Sequence, residues 1–217
     1  MSDDPETARQ IAELALDDRP LLVLDVDDVL LHFVRPFPRY LEGLGYRLTF
    51  DSFRLTGNIH HMQTGVAAEQ ALVTELLDAF FVAQSEWQTL TEGAAETLAG
   101  FAGDVEIVLL TAMSHRHRDA RRLHLDRLGL TYPLVTTEMA KGPAIRSLRG
   151  SKGRPVAFVD DQPRNLVSAR ESVPETHLFH LMAENALRDL LPPPPDGILV
   201  VKDWHEAGPR IAEALGV

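Results

Sequence analysis

The feature that most constrains the fold is an unbroken apolar run, Leu21–Leu24, that leads directly into Asp25. A strand with no polar position is typical of a sheet that is covered on both faces. Asp27 lies two residues beyond Asp25. Ionised carboxylates so close together repel each other, so the fold must bring a compensating positive charge to the end of this strand.

A second pair of acids, Asp160 and Asp161, follows another apolar run, Val156–Val159, much later in the chain. A hard divalent cation such as Mg²⁺ takes oxygen ligands and offsets the repulsion between carboxylates. The two acidic pairs therefore predict one metal site that the fold assembles from two strand ends.

Composition limits the classes of protein to which the chain can belong. Its 217 residues, 45% hydrophobic and 24% charged, suit one globular domain with room for an inserted subdomain. The net charge of −11 argues against binding to a nucleic acid polymer or an anionic membrane. The absence of cysteine excludes disulfides and thiol catalysis. No apolar stretch approaches the ~20 residues that span a bilayer, and the acidic N-terminus is unlike a signal peptide, so we expect a cytoplasmic protein.

Apolar periodicity and turn residues predict alternating strands and helices over most of the chain. The predicted strands cover residues 21–25, 105–111, 134–136, 156–160, 177–181 and 198–201, the last two as edge strands with a helix between them. The predicted helices cover residues 5–16, 93–101, 115–128 and 206–215, and two more begin at Pro143 and Pro163. This alternation predicts an α/β fold with a doubly wound parallel sheet. Ligands of such sheets bind beyond the carboxyl ends of the strands, where Asp25, Thr111 and Asp160 are all expected.

Residues 33–90 break this alternation, and they are too many for a loop in a compact domain. Phe37, Leu41 and Leu44 have helical spacing, residues 46–50 alternate like a short strand, and residues 72–81 carry a longer amphipathic helical pattern. We therefore predict a small, mainly helical cap at residues 33–90. It is inserted into a core formed by residues 1–32 and 91–217.

Four short motifs occur in order along the predicted core, each at a strand end or a helix start. They are Asp25-Val26-Asp27-Asp28-Val29, Thr111-Ala112-Met113-Ser114, Lys141-Gly142-Pro143 and Asp160-Asp161-Gln162-Pro163-Arg164-Asn165. With these motifs the chain resembles the haloacid dehalogenase (HAD) superfamily, and the resemblance covers the whole core. It implies a HAD-type, Rossmann-like core and a phosphatase-type member with a small helical cap.

The resemblance implies a role for both acids of the first motif. Asp25 would attack phosphorus and form an aspartyl-phosphate, a covalent route that divides one difficult step into two. Asp27 would protonate the leaving oxygen as a general acid and then activate water as a general base. Members of the superfamily that attack carbon generally lack this second acid, so Asp27 favours phosphate-ester hydrolysis over dehalogenation.

The resemblance also assigns the groups that hold the phosphate. Thr111 and the amides that follow it, at Ala112 and Met113, would donate to the phosphoryl oxygens. A lysine would pair with the nucleophile and cancel its repulsion from the anionic substrate. Lys141 fits this role because it lies just ahead of a predicted helix, and Lys152, in a Gly-rich turn, is the competing candidate.

The metal implied by the resemblance is Mg²⁺. Its ligands would be Asp25, the backbone carbonyl of Asp27 and the acids of the fourth motif. Asp161 aligns with the acid of the family pattern, so it is the preferred direct ligand, and Asp160 would bind as a second or water-mediated ligand. Asn165 stands where the pattern has a further acid, and we expect it to support the ligands without binding the metal.

The predicted function is Mg²⁺-dependent hydrolysis of a small phosphorylated metabolite, a sugar phosphate or a nucleotide. The predicted cap would choose the substrate, with Phe33, Arg35 and Arg54 as candidate contacts because aromatic rings and guanidinium groups grip such ligands. A phosphomutase or phosphotransferase of the same superfamily, and a non-catalytic HAD-fold binding protein, remain alternatives. The expected assembly is a monomer or a homodimer.

The segment 115–128 is unusually basic. We interpret its charges as a solvated helix face. The arginines of this segment are Arg116, Arg118, Arg121, Arg122 and Arg127, and its histidines are His115, His117 and His124.

Overall fold

The structure is a computed structural model that describes residues 4–50, 54–151, 153–184 and 193–217. Its strands are β1 (Leu21–Leu24), β2 (Tyr46–Leu48), β3 (Ile59–His61), β4 (Glu106–Thr111), β5 (Leu134–Thr136), β6 (Val156–Asp160), β7 (His177–Leu181) and β8 (Ile198–Val201). Its helices are α1 (Pro5–Ala12), α2 (Phe37–Gly43), α3 (Gln70–Val82), α4 (Gln84–Trp87), α5 (Ala94–Phe101), α6 (Arg118–Arg127), α7 (Lys141–Arg149), α8 (Pro163–Ser172) and α9 (Trp204–Leu215). A 3₁₀ turn, His115–His117, leads directly into α6.

The main sheet of the described residues has six parallel strands in the order β5-β4-β1-β6-β7-β8. Helices cover both faces, so the predicted doubly wound α/β fold is confirmed. The prediction that β7 is an edge strand is wrong, because β7 pairs with both β6 and β8. The edges are β5 and β8, and hydrogen bonding to two neighbours explains why residues 178–181 are buried.

The apolar run of β1 follows from its place at the centre of this sheet. Leu21 and Val23 belong to the core beneath α1, α7 and α8. Leu22 and Leu24 belong to the core beneath α5, α6 and α9. All four side chains are fully buried, so neither face of the strand tolerates a polar residue.

The carboxyl ends of β1 and β6 meet at the point where the chain changes direction across the sheet. From β1 the chain proceeds to β4 and β5 on one side, and from β6 it proceeds to β7 and β8 on the other. The helices that follow, α5 and α8, cover opposite faces. A crevice between such strand ends is where doubly wound sheets bind ligands.

Residues 33–90, called the insert from here on, have an apolar core of their own. Phe37 and Leu41 of α2 pack there with Phe80 of α3. The insert also holds an antiparallel pair, β2 and β3, of which the sequence predicted only the first strand. Asp78 of α3 ties the insert to the core of the protein, because its carboxylate accepts a hydrogen bond from His117 Nε2 at 2.9 Å and pairs with Arg116.

Helix α7 begins two residues before Pro143, at Lys141, and it packs closely on α8. The amide of Gly142 donates to Ser168 Oγ at 3.1 Å. A Cβ atom at residue 142 would lie 2.0 Å from the carbonyl oxygen of Ser168, so only glycine permits this approach. The contact fixes the first turn of α7 and with it the position of Lys141.

Two expectations fall on parts of the chain outside the described residues. Lys152 is one of them, and most of the helix predicted between β7 and β8 is the other. Within the residues that the structure describes, none of the helices has the length and apolar character needed to cross a membrane.

Candidate active site

Lys141 joins two strand ends through one ammonium group. Its Nζ atom lies 2.5 Å from Asp25 Oδ1, just beyond β1, and 2.7 Å from Asp160 Oδ2, at the end of β6. The lysine side chain is 1% exposed. Ion pairs that are shielded from water in this way are screened little by salt, so the lysine holds both carboxylates firmly.

Asp160 and Asp161 are adjacent but differ in their hydrogen bonds. The carboxylate of Asp160 accepts from Lys141, from the amide of Gln162 at 2.8 Å, and from Asn165 Nδ2 at 3.0 and 3.1 Å. The carboxylate of Asp161 accepts from Gln162 Nε2 at 2.6 Å. Asp161 therefore keeps more lone pairs for another ligand than Asp160 does.

The site is richer in negative than in positive charge. Carboxylate oxygens of Asp25, Asp160 and Asp161 all lie within 4.8 Å of one another, and one lysine faces them. Burial raises the pKa of Asp25 to about 7 even though the Lys141 ammonium acts to lower it. Burial, and after it the Asp160 carboxylate, raise the pKa of Asp161 well above its usual range.

With three carboxylates and one ammonium group, the ionised cluster has more negative than positive charge, and burial makes that imbalance costly. Lys141 is already fully charged. Burial acts to lower its pKa, but the carboxylates of Asp160 and Asp25 raise it above the ordinary value. The lysine therefore cannot contribute further positive charge. A divalent cation would supply the missing charge. The donor set consists of oxygens only, which suits a hard ion such as Mg²⁺.

Asp27 lies apart from this cluster and is held by different partners. Arg121 Nη2 donates to its two carboxylate oxygens at 3.0 and 3.2 Å, and Gln88 Nε2 donates to Oδ1 at 2.8 Å. The Arg121 side chain is fully buried, and its guanidinium lies 5.5 Å from the ring centre of Phe81 on α3. The orientation of Asp27 therefore depends on α6, on the insert and on the junction between the insert and the core.

A cavity of about 940 Å³ opens between the carboxyl edge of the sheet and the insert. Several predicted site residues line it. From the core these are Asp25, Asp27, Asp161, Thr111, Ala112, Met113 and Asn165, and from the insert they are Phe33 and Arg54. Lys141 and Asp160 lie beneath this surface and contact Asp25 and Asn165.

Arg35, a predicted substrate contact, does not line the cavity. Its guanidinium lies 3.5 Å from Glu92 Oε1 and 3.5 Å from Glu184 Oε2. The prediction for Arg35 is therefore corrected: it lies at the protein surface beside two acids of the core and is about half exposed.

Solved structures with the same architecture belong to HAD proteins. A haloacid dehalogenase-like hydrolase from Burkholderia xenovorans is 13% identical, with a TM-score of 0.60, over 92% of this chain and 99% of that one. A HAD family hydrolase from Deinococcus radiodurans, with bound phosphate and sodium, is 18% identical, with a TM-score of 0.58, over 91% of this chain and 97% of that one. This chain has the HAD fold. A β-phosphoglucomutase from Thermotoga maritima shares it at 16% identity and a TM-score of 0.57, over 90% and 100% of the two chains.

This structural similarity is not accompanied by a match in the sequence comparisons. No protein-family model matches the chain, and no curated protein matches it. At identities below one fifth, the solved structures establish the HAD fold of this chain and leave its reaction to be argued from its own residues.

Within this HAD fold, Asp28 links the active-site turn to the insert. Its backbone has a φ of 57°, a left-handed conformation that Asp tolerates better than most residues. Its carboxylate accepts the amides of Phe33 at 2.9 Å and Val34 at 3.1 Å, the first residues of the insert. Burial raises the pKa of Asp28 to about 7, against the lowering effect of these two hydrogen bonds.

Sequence reasoning missed Arg121 and Gln88. The interpretation of the basic segment as a solvated face is wrong for Arg121, His117 and His124, which are all buried. One signal was present: Leu125 lies four residues after Arg121, so position 121 shares the apolar face of α6. For Gln88 the sequence offered no such signal.

Proposed function

We propose that this protein is a HAD-superfamily phosphomonoester hydrolase that depends on Mg²⁺, with the insert as its substrate-selecting cap. The observation that carries the proposal is the buried Asp25 carboxylate, held by Lys141 in an acidic cluster and open to the cavity. An anion placed there is suited to attack a phosphate ester, provided that its repulsion from the substrate is cancelled.

In the first step, an oxygen of Asp25 attacks the phosphorus atom and the ester bond to the organic group breaks. The alcohol oxygen that leaves takes a proton from Asp27, which lines the same cavity. The phosphoryl group is then bound covalently to Asp25 as an acyl phosphate. Arg121 and Gln88 fix the direction in which Asp27 presents its proton.

In the second step, water attacks the phosphorus atom of the acyl phosphate and gives a proton to Asp27. Inorganic phosphate leaves, and the carboxylate of Asp25 is restored. Each step ends with one proton moved to or from Asp27, so the two steps together return the enzyme to its starting state.

Positive charge and hydrogen-bond donors stabilise the phosphoryl group during both steps. Thr111, at the end of β4, would donate its hydroxyl hydrogen, and the amides of Ala112 and Met113 would do the same. Asp25 and Asp161 would hold Mg²⁺ directly, with Asp160 as a second or water-mediated ligand, and the ion would supply the charge that the lysine alone does not. We assign direct ligation to Asp161 because Asp160 is occupied by Lys141 and Asn165.

The test measures phosphate release from alkyl, aryl, sugar and nucleoside phosphates, with Mg²⁺ and with a chelator. We expect release that requires Mg²⁺ and falls by at least about 10³-fold in Asp25→Asn, because the nucleophile is lost. Asp104→Asn, an exposed acid just before the other end of β4, is the matched control and keeps full activity. Undiminished turnover in Asp25→Asn would overturn the assignment. Metal binding without turnover of any ester would favour the non-catalytic alternative.

A phosphomutase is the second candidate, because similar structures from Thermotoga maritima and a Pyrococcus strain are described as β-phosphoglucomutases. A mutase uses the same pair of acids but passes the phosphoryl group to an organic acceptor. Addition of a sugar phosphate acceptor to the assay separates the two candidates. Transfer to the acceptor that exceeds transfer to water would establish the mutase.

A further inference from the structure

The insert presents an apolar surface to the phosphate site. Seven partly accessible side chains form it, and this set is called the apolar wall: Phe33, Val34, Leu48, Phe50, Leu55, Leu77 and Phe81. They come from the strand β2, from α3 and from the segments beside them. The apolar wall faces the core acids across the cavity, so whatever is attached to a bound phosphate group contacts it.

Two hydroxyl groups of the insert that line the cavity, on Thr49 and Thr56, donate within the insert. Thr56 Oγ1 donates to Gln70 Oε1 at 2.5 Å. Thr49 Oγ1 donates to the carbonyl oxygen of Asn58 at 3.3 Å. Both hydroxyl protons are therefore used within the insert. Among the described residues of the insert, Arg54 and Gln70 are the other polar side chains that line the cavity, and apolar side chains outnumber the polar ones there.

This arrangement separates two kinds of phosphate ester. A sugar carries several hydroxyl groups, and each one that loses water without gaining a partner weakens binding. An alkyl or aryl group loses nothing on leaving water and gains contact with the apolar wall. The cavity of about 940 Å³ has room for such a group beside the phosphate.

Resting on the proposed function, we infer that the substrate is a phosphate monoester whose organic part is apolar, an alkyl or aryl group, and that the apolar wall selects it. The core acids would bind the phosphate and the insert would bind the hydrocarbon. Sugar phosphates would enter the same site and bind weakly.

The experiment compares methyl, butyl, hexyl and phenyl phosphates with glucose 6-phosphate and glycerol phosphate. We expect kcat/KM to rise about fourfold for each methylene that reaches the apolar wall, and hexyl phosphate to exceed glucose 6-phosphate by at least about 100-fold. A higher kcat/KM for the polyhydroxylated esters would overturn the inference while phosphate release itself still supported the hydrolase.

Binding of the matching phosphonates, measured by calorimetry with Mg²⁺ present, makes the test independent of turnover. The carbon–phosphorus bond is not hydrolysed, so affinity alone is recorded. If hexylphosphonate binds far more tightly than methylphosphonate although no ester is hydrolysed, the selectivity of the apolar wall is supported and the proposed hydrolase fails. Equal affinities for the two phosphonates would overturn the inference whatever the activity.

A pair of variants on the insert locates the selectivity. Phe50 is 39% exposed and lines the cavity, whereas Leu44 is 49% exposed and does not line it. Phe50→Ser should reduce the preference for hexyl over methyl phosphate by about tenfold, and Leu44→Ser should leave it unchanged. Because neither side chain is buried, both variants are expected to fold, which thermal unfolding checks. The same preference in Phe50→Ser and the parent protein would overturn the role of the apolar wall.

Discussion

The two walls of the cavity differ in chemical character: the wall formed by the core is charged, and the wall formed by the insert is largely apolar. The core wall brings together buried carboxylates that the protein compensates incompletely, around a single buried lysine. The insert wall is mainly apolar, with Arg54 as its charged residue among those described, and its hydroxyl groups at Thr49 and Thr56 bond within the insert. The core wall therefore carries buried negative charge that its own residues do not balance, whereas the insert wall has no such imbalance.

The difference reflects where each wall is placed. Carboxyl ends of adjacent parallel strands are held rigidly by the sheet, so like charges can be kept close together against their repulsion. The insert has its own small core and is joined to the rest of the chain at residues 33 and 90. Rigid positions suit reacting groups, and a separate layer can vary its surface without disturbing them.

The largest effect, on both stability and activity, is expected from Lys141→Met, which removes the ammonium group of the core wall. Removing one partner of a buried ion pair costs about 3–5 kcal/mol, and loss of a phosphate-binding charge lowers kcat/KM by about 10³-fold. Denaturant unfolding with and without Mg²⁺ measures the first effect, and we expect Mg²⁺ to restore more stability to the variant than to the parent.

Arg146→Met is the control for Lys141→Met, because Arg146 is exposed on the same helix. It should change neither stability nor activity appreciably. If Lys141→Met and the parent protein were equally stable in the presence of a chelator, the core wall would not be short of positive charge.

The next effect concerns the pH dependence of stability. The pKa of Asp28 is raised to about 7 in the folded protein, so the folded state binds a proton more tightly than the unfolded state. The contribution of Asp28 to stability should therefore be largest below about pH 4 and be lost as the pH rises through about 7, by up to about 4 kcal/mol. Asp28→Asn should flatten this slope, because asparagine tolerates the positive φ and its carbonyl oxygen can accept the amides of Phe33 and Val34.

Urea unfolding at several pH values, with saturating Mg²⁺ to neutralise the other core acids, measures this slope. Asp104→Asn again serves as the exposed control. An identical slope in Asp28→Asn and the parent would mean that Asp28 ionises in the folded protein at its ordinary pKa.

A smaller and more selective effect is expected from Arg121→Met, at the contact between the two walls. Without this ion pair Asp27 loses its orientation, and kcat/KM for an alkyl phosphate, which reports only the steps up to release of the alcohol, should fall by about 10²-fold, since the leaving oxygen needs a proton. For p-nitrophenyl phosphate, whose leaving group needs no proton, the fall should be less than about tenfold. Steady-state kinetics with both esters measures the ratio.

Arg127→Met, an exposed change on α6, is the control for Arg121→Met. It should leave both rates unchanged. Equal losses for the two esters in Arg121→Met would point to a general structural role for the arginine in place of a role in orienting Asp27.

The smallest effect is expected from Arg54→Gln, a charge on the insert side of the cavity. Arg54 is exposed, and exposed charges contribute about 0.2–1 kcal/mol, so KM for a phosphate ester should rise by about two- to fivefold. Added salt should reduce the difference from the parent. Arg39→Gln, exposed on α2 and away from the cavity, is the control. A rise in KM of more than tenfold would mean that the insert wall binds the phosphate ester mainly by charge.

The sequence by itself determined the sheet and the positions of its acids. Apolar runs that end in Asp25 and Asp160 locate β1 and β6, because strand periodicity and burial are local properties of the chain. The topology of a doubly wound sheet then brings such strand ends together. Lys141 could be placed beside them only through the motif in which it lies.

What only the tertiary structure decided is which distant side chains meet. Asp27 and Arg121 are 94 residues apart, and their contact depends on how α6 packs against the sheet. Arg35 lies close to the first motif in sequence, yet it lies outside the cavity beside Glu92 and Glu184. Long charged side chains reach several ångströms in any direction, so their partners are selected by packing and not by local sequence.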